Sequence, residues 1–147
     1  MTDPIGFLLS DNARLIRRRF DEHARTIGVT RSQWRVLTAL SRQEGQTQGA
    51  LAEALEVEPI TLCRMIDRLE EAGHVERRRH PADRRAWNIY LTDRSRPLLD
   101  RLRAIADDVV ARALAGIAEA DRERLTHMLA TIRDNLSTAA NRTSANG

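Results

Sequence analysis

At 147 residues, 41% of them apolar but only 3% aromatic, the chain is sized for one compact unit whose core must be filled mainly by aliphatic side chains. All 24 basic residues are arginine, set against 21 acids for a net charge of +3, so what matters is where the arginines cluster and not how many there are. A single cysteine, Cys63, excludes an internal disulfide and a cysteine-based zinc site. No apolar run approaches the roughly 18 residues of a membrane helix, and the first residues read as no signal peptide, so a cytoplasmic location is expected.

In chain order, a first helix is predicted from about Pro4 to Arg25. Leu8 with Leu15, and Leu9 with Ile16 and Phe20, recur at helical spacing, while Arg14, Arg17 and Arg18 share another face. Gly28 ends it. Thr30 and Gln33 form a capping box for a second helix carrying Trp34, Val36, Leu37 and Leu40, closed by Gly45. Thr47 caps a third, whose inward side is Leu51, Ala52 and Leu55. Gly49 within it costs about 1 kcal/mol relative to alanine. Pro59 suits the first turn of a fourth helix. Leu62, Met65, Ile66 and Leu69 make its buried stripe, and Gly73 supplies a left-handed stop.

Val75–Arg79 and Trp87–Leu91 read as two strands joined by the turn His80-Pro81-Ala82-Asp83-Arg84-Arg85. Thr92 opens a long helix with Leu98, Leu102, Ile105 and Val109 in phase, and Gly116 breaks it. A last helix carries Leu125, Leu129, Ile132 and Leu136. Such seams want a partner helix. The polar tail from Thr138 is expected to be disordered. The fold class is therefore mainly α with a small β-hairpin wing: a winged helix-turn-helix whose N- and C-terminal helices form a dimerisation domain. The expected segments are 1–29 for the N-terminal dimerisation helix, 30–92 for the DNA-binding domain, 93–137 for the C-terminal dimerisation helices and 138–147 for the tail. No repeat interrupts this order.

Burying the stripe of the fourth helix turns Ile60, Thr61, Arg64 and Arg68 outward. A helix-turn-helix places such early outward positions on base edges. Thr61 can donate, accept or touch a thymine methyl, and Arg64 can fork onto guanine O6 and N7. Arg68, a turn later, reaches phosphate. The hairpin adds Arg77, Arg78, Arg79, Arg84 and Arg85, crowded into nine positions among which only Asp83 opposes them. So many like charges repel unless an anion meets them, and a narrow minor groove attracts arginine. Asp83 is then an orienting partner that holds one arginine extended. The competing reading of both clusters is a solvated basic surface.

These parts together resemble the MarR family of transcriptional regulators, and within it the SlyA-like branch. The matching residues are Thr30 with Trp34, Leu51-Ala52-Glu53, the run Asp67-Arg68-Leu69-Glu70-Glu71-Ala72-Gly73, and Asp83-Arg84-Arg85 followed by Tyr90-Leu91-Thr92. The likeness spans about Asp11 to Leu136. It implies a homodimer with interlocked first, fifth and sixth helices, Arg85 as the minor-groove residue and Asp83 as its ion-pair partner. Glu58 departs from the small polar residue usual beside the proline. An acid there suits the helix dipole but faces phosphate badly. A two-fold pair would read a palindrome of double-stranded DNA with half-sites roughly 10–10.5 base pairs apart.

The resemblance also implies release from DNA by a small aromatic carboxylate, with Arg14 and Arg17 for the anion and Trp34 for the ring. An acyl-coenzyme A thioester of such an acid is an extension of the same idea. Against it, the two arginines can pair with acids at a dimer interface and Trp34 can be ordinary core. The expected role is thus a repressor relieved by its effector. The alternatives are a ligand-independent global regulator competing with nucleoid proteins, or a redox sensor through Cys63, whose thiol stands next to Arg64. His23, His74, His80 and His127 fall in different elements without ligand spacing, so no metal is expected. No cofactor is implied, and no phosphate loop, nucleophile elbow or paired carboxylates suggest an enzyme.

Overall fold

Punctuation in the sequence translates directly into helix ends. The structure is a computed structural model that describes the backbone of residues 3–145 and side chains through residue 138. Its elements are α1 (Ile5–Thr26), α2 (Arg31–Arg42), α3 (Gln48–Ala54), α4 (Pro59–Glu71), β1 (Val75–Arg79), β2 (Trp87–Leu91), a 3-10 turn at Asp93–Ser95, α5 (Arg96–Ala113) and α6 (Glu119–Ala145). The capping box forms as expected: the Gln33 N–H donates to Thr30 Oγ1 at 3.3 Å, and the Thr30 N–H donates to Gln33 Oε1 at 3.0 Å. Thr47 Oγ1 accepts from the Ala50 N–H at the head of α3. Pro59 stands in the first turn of α4, where its missing N–H leaves nothing unsatisfied.

The turn between α3 and α4 has an unexpected feature. Glu56 holds φ of 54° there, the left-handed region, although it is not glycine. At the other end of α4, Gly73 takes φ of 79° and lets the chain reverse into β1. β1 and β2 pair antiparallel with Arg77 opposite Ile89. The segment before α3 joins them as a short third edge that the sequence pattern does not reveal. The Gly45 N–H donates to the Ile89 carbonyl and the Ile89 N–H to the Gln46 carbonyl, while Glu44 Oε1 accepts from the Leu91 N–H.

The core gathers Val36, Leu37 and Leu40 of α2, Leu51 of α3, Leu62, Ile66 and Leu69 of α4, and Val75 and Ile89 of the hairpin. Phe20 and Ala24 of α1 and Leu102 of α5 belong to the same cluster. The expected boundaries near residues 29 and 92 therefore do not separate distinct cores: α1 and most of α5 fall in one compact unit with the winged-helix elements, residues 1–110.

The second unit, residues 111–147, consists of the end of α5, a turn at Gly116 and α6. The Arg122 guanidinium closes this turn by donating to the carbonyls of Ile117 and Leu114 at 2.8 and 2.9 Å. Along α6, Met128, Leu129 and Leu136 are exposed. The helix continues through Ala145, past Thr138, where disorder was expected to begin. Alanines at 139 and 140 favour that continuation. Residues 146 and 147 lie outside the described residues. No helix among those described is long and apolar enough to cross a membrane.

Candidate nucleic-acid interface and a separate cavity

The phase of α4 decides what its outer face offers. With Leu62, Ile66 and Leu69 fully buried, Ile60, Thr61, Arg64 and Arg68 are all exposed, Ile60 to 65%. An apolar side chain left in water beside a hydroxyl and two guanidinium groups is a surface suited to thymine methyls, base edges and phosphate together. Glu58 is the N-cap of α4 but makes no side-chain capping bond.

The hairpin sorts its arginines into different roles. Arg77 departs from the expected DNA contact. Its side chain is only 14% exposed and turns toward α4 and α3. There Nη2 donates to Asp67 Oδ1 at 2.6 Å and to the Cys63 carbonyl, Nη1 to Glu70 Oε1, and Nε to Gln48 Oε1. Burial alone would lower the Arg77 pKa. The hydrogen bond and charge of Asp67, joined by Glu70, outweigh it and hold the group above the usual arginine value. Arg78 pairs with Glu76 and lies over the Tyr90 ring, 4.0 Å from its centroid. Arg79 lies 5.0 Å over Trp87 and donates to the Arg84 carbonyl.

The turn itself is tied by two side chains. His80 Nδ1 accepts the backbone N–H groups of Ala82 and Asp83, at 3.0 and 3.2 Å. Asp83 Oδ1 accepts the backbone N–H of Arg85 at 2.9 Å. This corrects the expected Asp83–Arg85 ion pair, because the carboxylate shapes the turn through the main chain and leaves the guanidinium out of the contact. Aspartate bonding an amide two residues on is favoured locally over a long, solvated side-chain pair. Arg84 and Arg85 are exposed, and neither they nor Arg64 and Arg68 have a carboxylate partner among the described residues.

Cys63 is half-buried, its thiol 3.8 Å from Arg77 Nη2. The expected neighbour, Arg64, is exposed on the outer face of α4. The cysteine thus faces the Arg77 cluster and not the reading surface.

A separate cavity of about 360 Å³ opens between α1, α2 and α5 within the first unit. Ile16, Phe20, Trp34, Leu99, Leu102 and Val109 give it apolar walls, and Arg17, Arg103, Thr38 and Ser41 supply polar groups. Phe20 and Trp34 meet edge to face with centroids 4.7 Å apart. The indole N–H of Trp34 donates to Asp21, whose carboxylate also stands near Arg31, so the ring is fixed in the wall. Arg17 and Trp34, both singled out in the sequence, line this cavity. Arg14 is not among the lining residues; it is exposed and pairs with Asp11 at 3.6 Å, one turn away on α1. Arg103 was missed, since its place depends on how α5 packs against α1 and α2.

The exposed polar face of α4, a basic hairpin beside it and a left-handed glycine between them define a winged helix-turn-helix DNA-binding protein. Residues 29–87 match the MarR family, and the transcriptional regulator PA3341 is 34% identical, with a TM-score of 0.77 over 92% of this chain and 99% of that one. The chain belongs to the MarR family and is a DNA-binding transcriptional regulator. A MarR-family regulator from Rhodococcus sp. RHA1 is 29% identical at a TM-score of 0.74, covering 87% of this chain and 91% of that chain. Wild-type MarR from E. coli in its apo form shares the fold at a TM-score of 0.80 and 23% identity, over 90% and 98% of the two chains.

Proposed function

We propose that this protein acts in the cytoplasm as a homodimeric repressor that leaves a palindromic operator when a small aromatic acid occupies the cavity between α1, α2 and α5. The observation that carries the DNA half is the contrast between Arg77, whose three side-chain nitrogens are all engaged, and the exposed Arg64, Arg68, Arg84 and Arg85, which have no carboxylate partner among the described residues. Thr61 and Arg64 read base edges in the major groove, Ile60 meets a thymine methyl, and Arg68 holds phosphate. Arg84 and Arg85 enter the minor groove, with Arg79 near the backbone and Asp83 keeping the turn in shape.

Two copies suit this reading because exposed apolar side chains recur along α1 and α6. Ile5, Phe7, Leu8 and Leu15 lie exposed on α1, and Met128, Leu129 and Leu136 on α6. A partner helix would remove them from water. A two-fold pair then reads half-sites roughly one helical turn apart.

For the effector half, the cavity sits at the lower end of small-molecule pockets, which run from about 300 Å³. It suits an aromatic ring against Phe20 and Trp34 with a carboxylate shared by Arg17 and Arg103. A coenzyme A thioester would place only its acyl group inside.

Fluorescence anisotropy on the DNA upstream of the protein's own gene, at fixed salt, tests both halves. A panel of aromatic acids and their coenzyme A thioesters is then added. Tight binding reversed by one compound supports the reading. Tight binding that none reverses marks a ligand-independent regulator, and absence of binding removes the autoregulatory operator.

A further inference from the structure

Arg77 stands on β1, yet its guanidinium contacts two other elements, α4 and α3. Nη2 reaches Asp67 and the Cys63 carbonyl, Nη1 reaches Glu70, and Nε reaches Gln48, so all three nitrogens are engaged. The Arg77 main-chain N–H also donates to Glu70 Oε2 at 3.1 Å. A planar fork with fixed donor directions sets an orientation as well as a distance, which a lysine ammonium cannot do. One side chain thus pins the root of the wing to the middle of α4 and to the head of α3.

We propose that Arg77 is a positioning residue for operator recognition: it fixes the angle of the wing against α4, and with it the offset between the groove read by Arg64 and the groove entered by Arg84 and Arg85. The proposal rests on the division of labour between these arginines given above. The turn residues lie several positions beyond Arg77, and each strand residue advances the chain by about 3.3 Å. A tilt of about 10° at the root would therefore move the wing tip by roughly 2 Å, enough to break hydrogen bonds whose lengths vary by only a few tenths of an ångström. Arg77 also neutralises Asp67 and Glu70, two acids on the helix that faces phosphate.

The test uses a duplex selected from a random pool for tight binding to the wild-type protein. Hydroxyl-radical cleavage reports minor-groove protection, and methylation of guanine N7 reports major-groove protection, at protein concentrations that saturate the site. Thermal melting is followed in parallel. Wild type should show both protections; if either is missing, the division of labour fails and not the role of Arg77. With both present, Arg77→Gln should lose minor-groove protection and bind at least tenfold more weakly while keeping guanine protection. Arg77→Lys should recover little of the loss. Asp67→Asn, which leaves the other contacts of Arg77 in place, should shift the same ratio of protections to a smaller degree, and it serves if Arg77→Gln does not fold. Unchanged ratios, or both protections falling together in step with the melting temperature, would overturn the proposal.

Discussion

The guanidinium of Arg35 donates to the Leu55 carbonyl across 2.6 Å, joining α2 to the turn that leads into α4. Leu55 is the C-cap of α3, where carbonyls lose their helical partners. The same helix that lines the cavity with Trp34, Thr38 and Ser41 therefore also secures the turn of the DNA-reading motif. Arg35→Met keeps much of the apolar stem and removes this bond. Because Arg35 is only half-buried, stability should fall by about 1–2 kcal/mol, read from the urea midpoint at constant slope. A midpoint that does not move would show that water replaces the guanidinium at no cost.

Glu56 offers a change in the opposite direction. Its φ of 54° costs a residue with a Cβ about 1–2 kcal/mol, partly regained by glycine after its own entropic penalty. Glu56→Gly should raise stability by about 0.5–1 kcal/mol, measured by chemical denaturation, with operator affinity kept. A destabilised variant would mean that the glutamate side chain contributes more than its backbone geometry costs.

Arg64 and Arg84 should fail differently. On the proposed reading Arg64→Ala removes the fork onto one base pair, so selectivity at one position per half-site should fall by about 1–3 kcal/mol. Arg84→Ala should weaken all sequences alike and reduce the salt dependence of binding by about one charge. Competition across single-base operator variants measures both, and identical profiles for the two mutants would undo the assignment.

For the cavity, Arg103→Ala and Arg17→Ala should each weaken an aromatic carboxylate about tenfold or more, the range expected for a charged hydrogen bond. The corresponding neutral amide should bind both variants and wild type alike. Quenching of Trp34 fluorescence in a Trp87→Phe background provides the titration. If acid and amide bind equally to wild type, neither arginine recognises charge.

His74 gives the stability a pH dependence. Burial, then the charge of Arg94, pushes its pKa below the usual 6.5. The folded protein thus binds this proton less readily than the unfolded chain. Its contribution is fully present above about pH 6.5 and fades as pH falls through the lowered value. The fall in stability from pH 7.5 to pH 5 should be shallower in His74→Gln than in wild type, by denaturant titration at each pH. Parallel curves would assign the acid sensitivity elsewhere.

What the sequence disclosed was mostly local. Thr30 with Gln33, Thr47 and Pro59 mark helix starts because capping involves residues within one turn, and each mark holds. Both strands fall at the expected residues, since Gly73 and the Pro81–Asp83 turn bracket them. The roles of the wing arginines were harder to read. Alternation puts Arg77 and Arg78 on opposite faces, but which face meets α4 depends on packing. Asp67 and Glu70, one turn apart on α4, were a visible sign that an arginine would be drawn to that side. Arg103 could not be placed without knowing how α5 packs against α1 and α2. Arg14 entered the expected site through the family resemblance, one turn from Arg17 on α1, whereas the cavity is lined by Arg17 and not by Arg14.

The His80 and Asp83 bonds that close the wing turn bear on the thermodynamics of association. A loop that must freeze on contact contributes a large heat-capacity decrease and an ordering entropy beyond what its contact area explains. Here three main-chain amides are already satisfied before any DNA is present, so on the proposed reading the hairpin should dock as a rigid body. Calorimetry across temperature should return only the modest heat-capacity change of two preformed surfaces meeting, and encounter should proceed without a slow unimolecular phase.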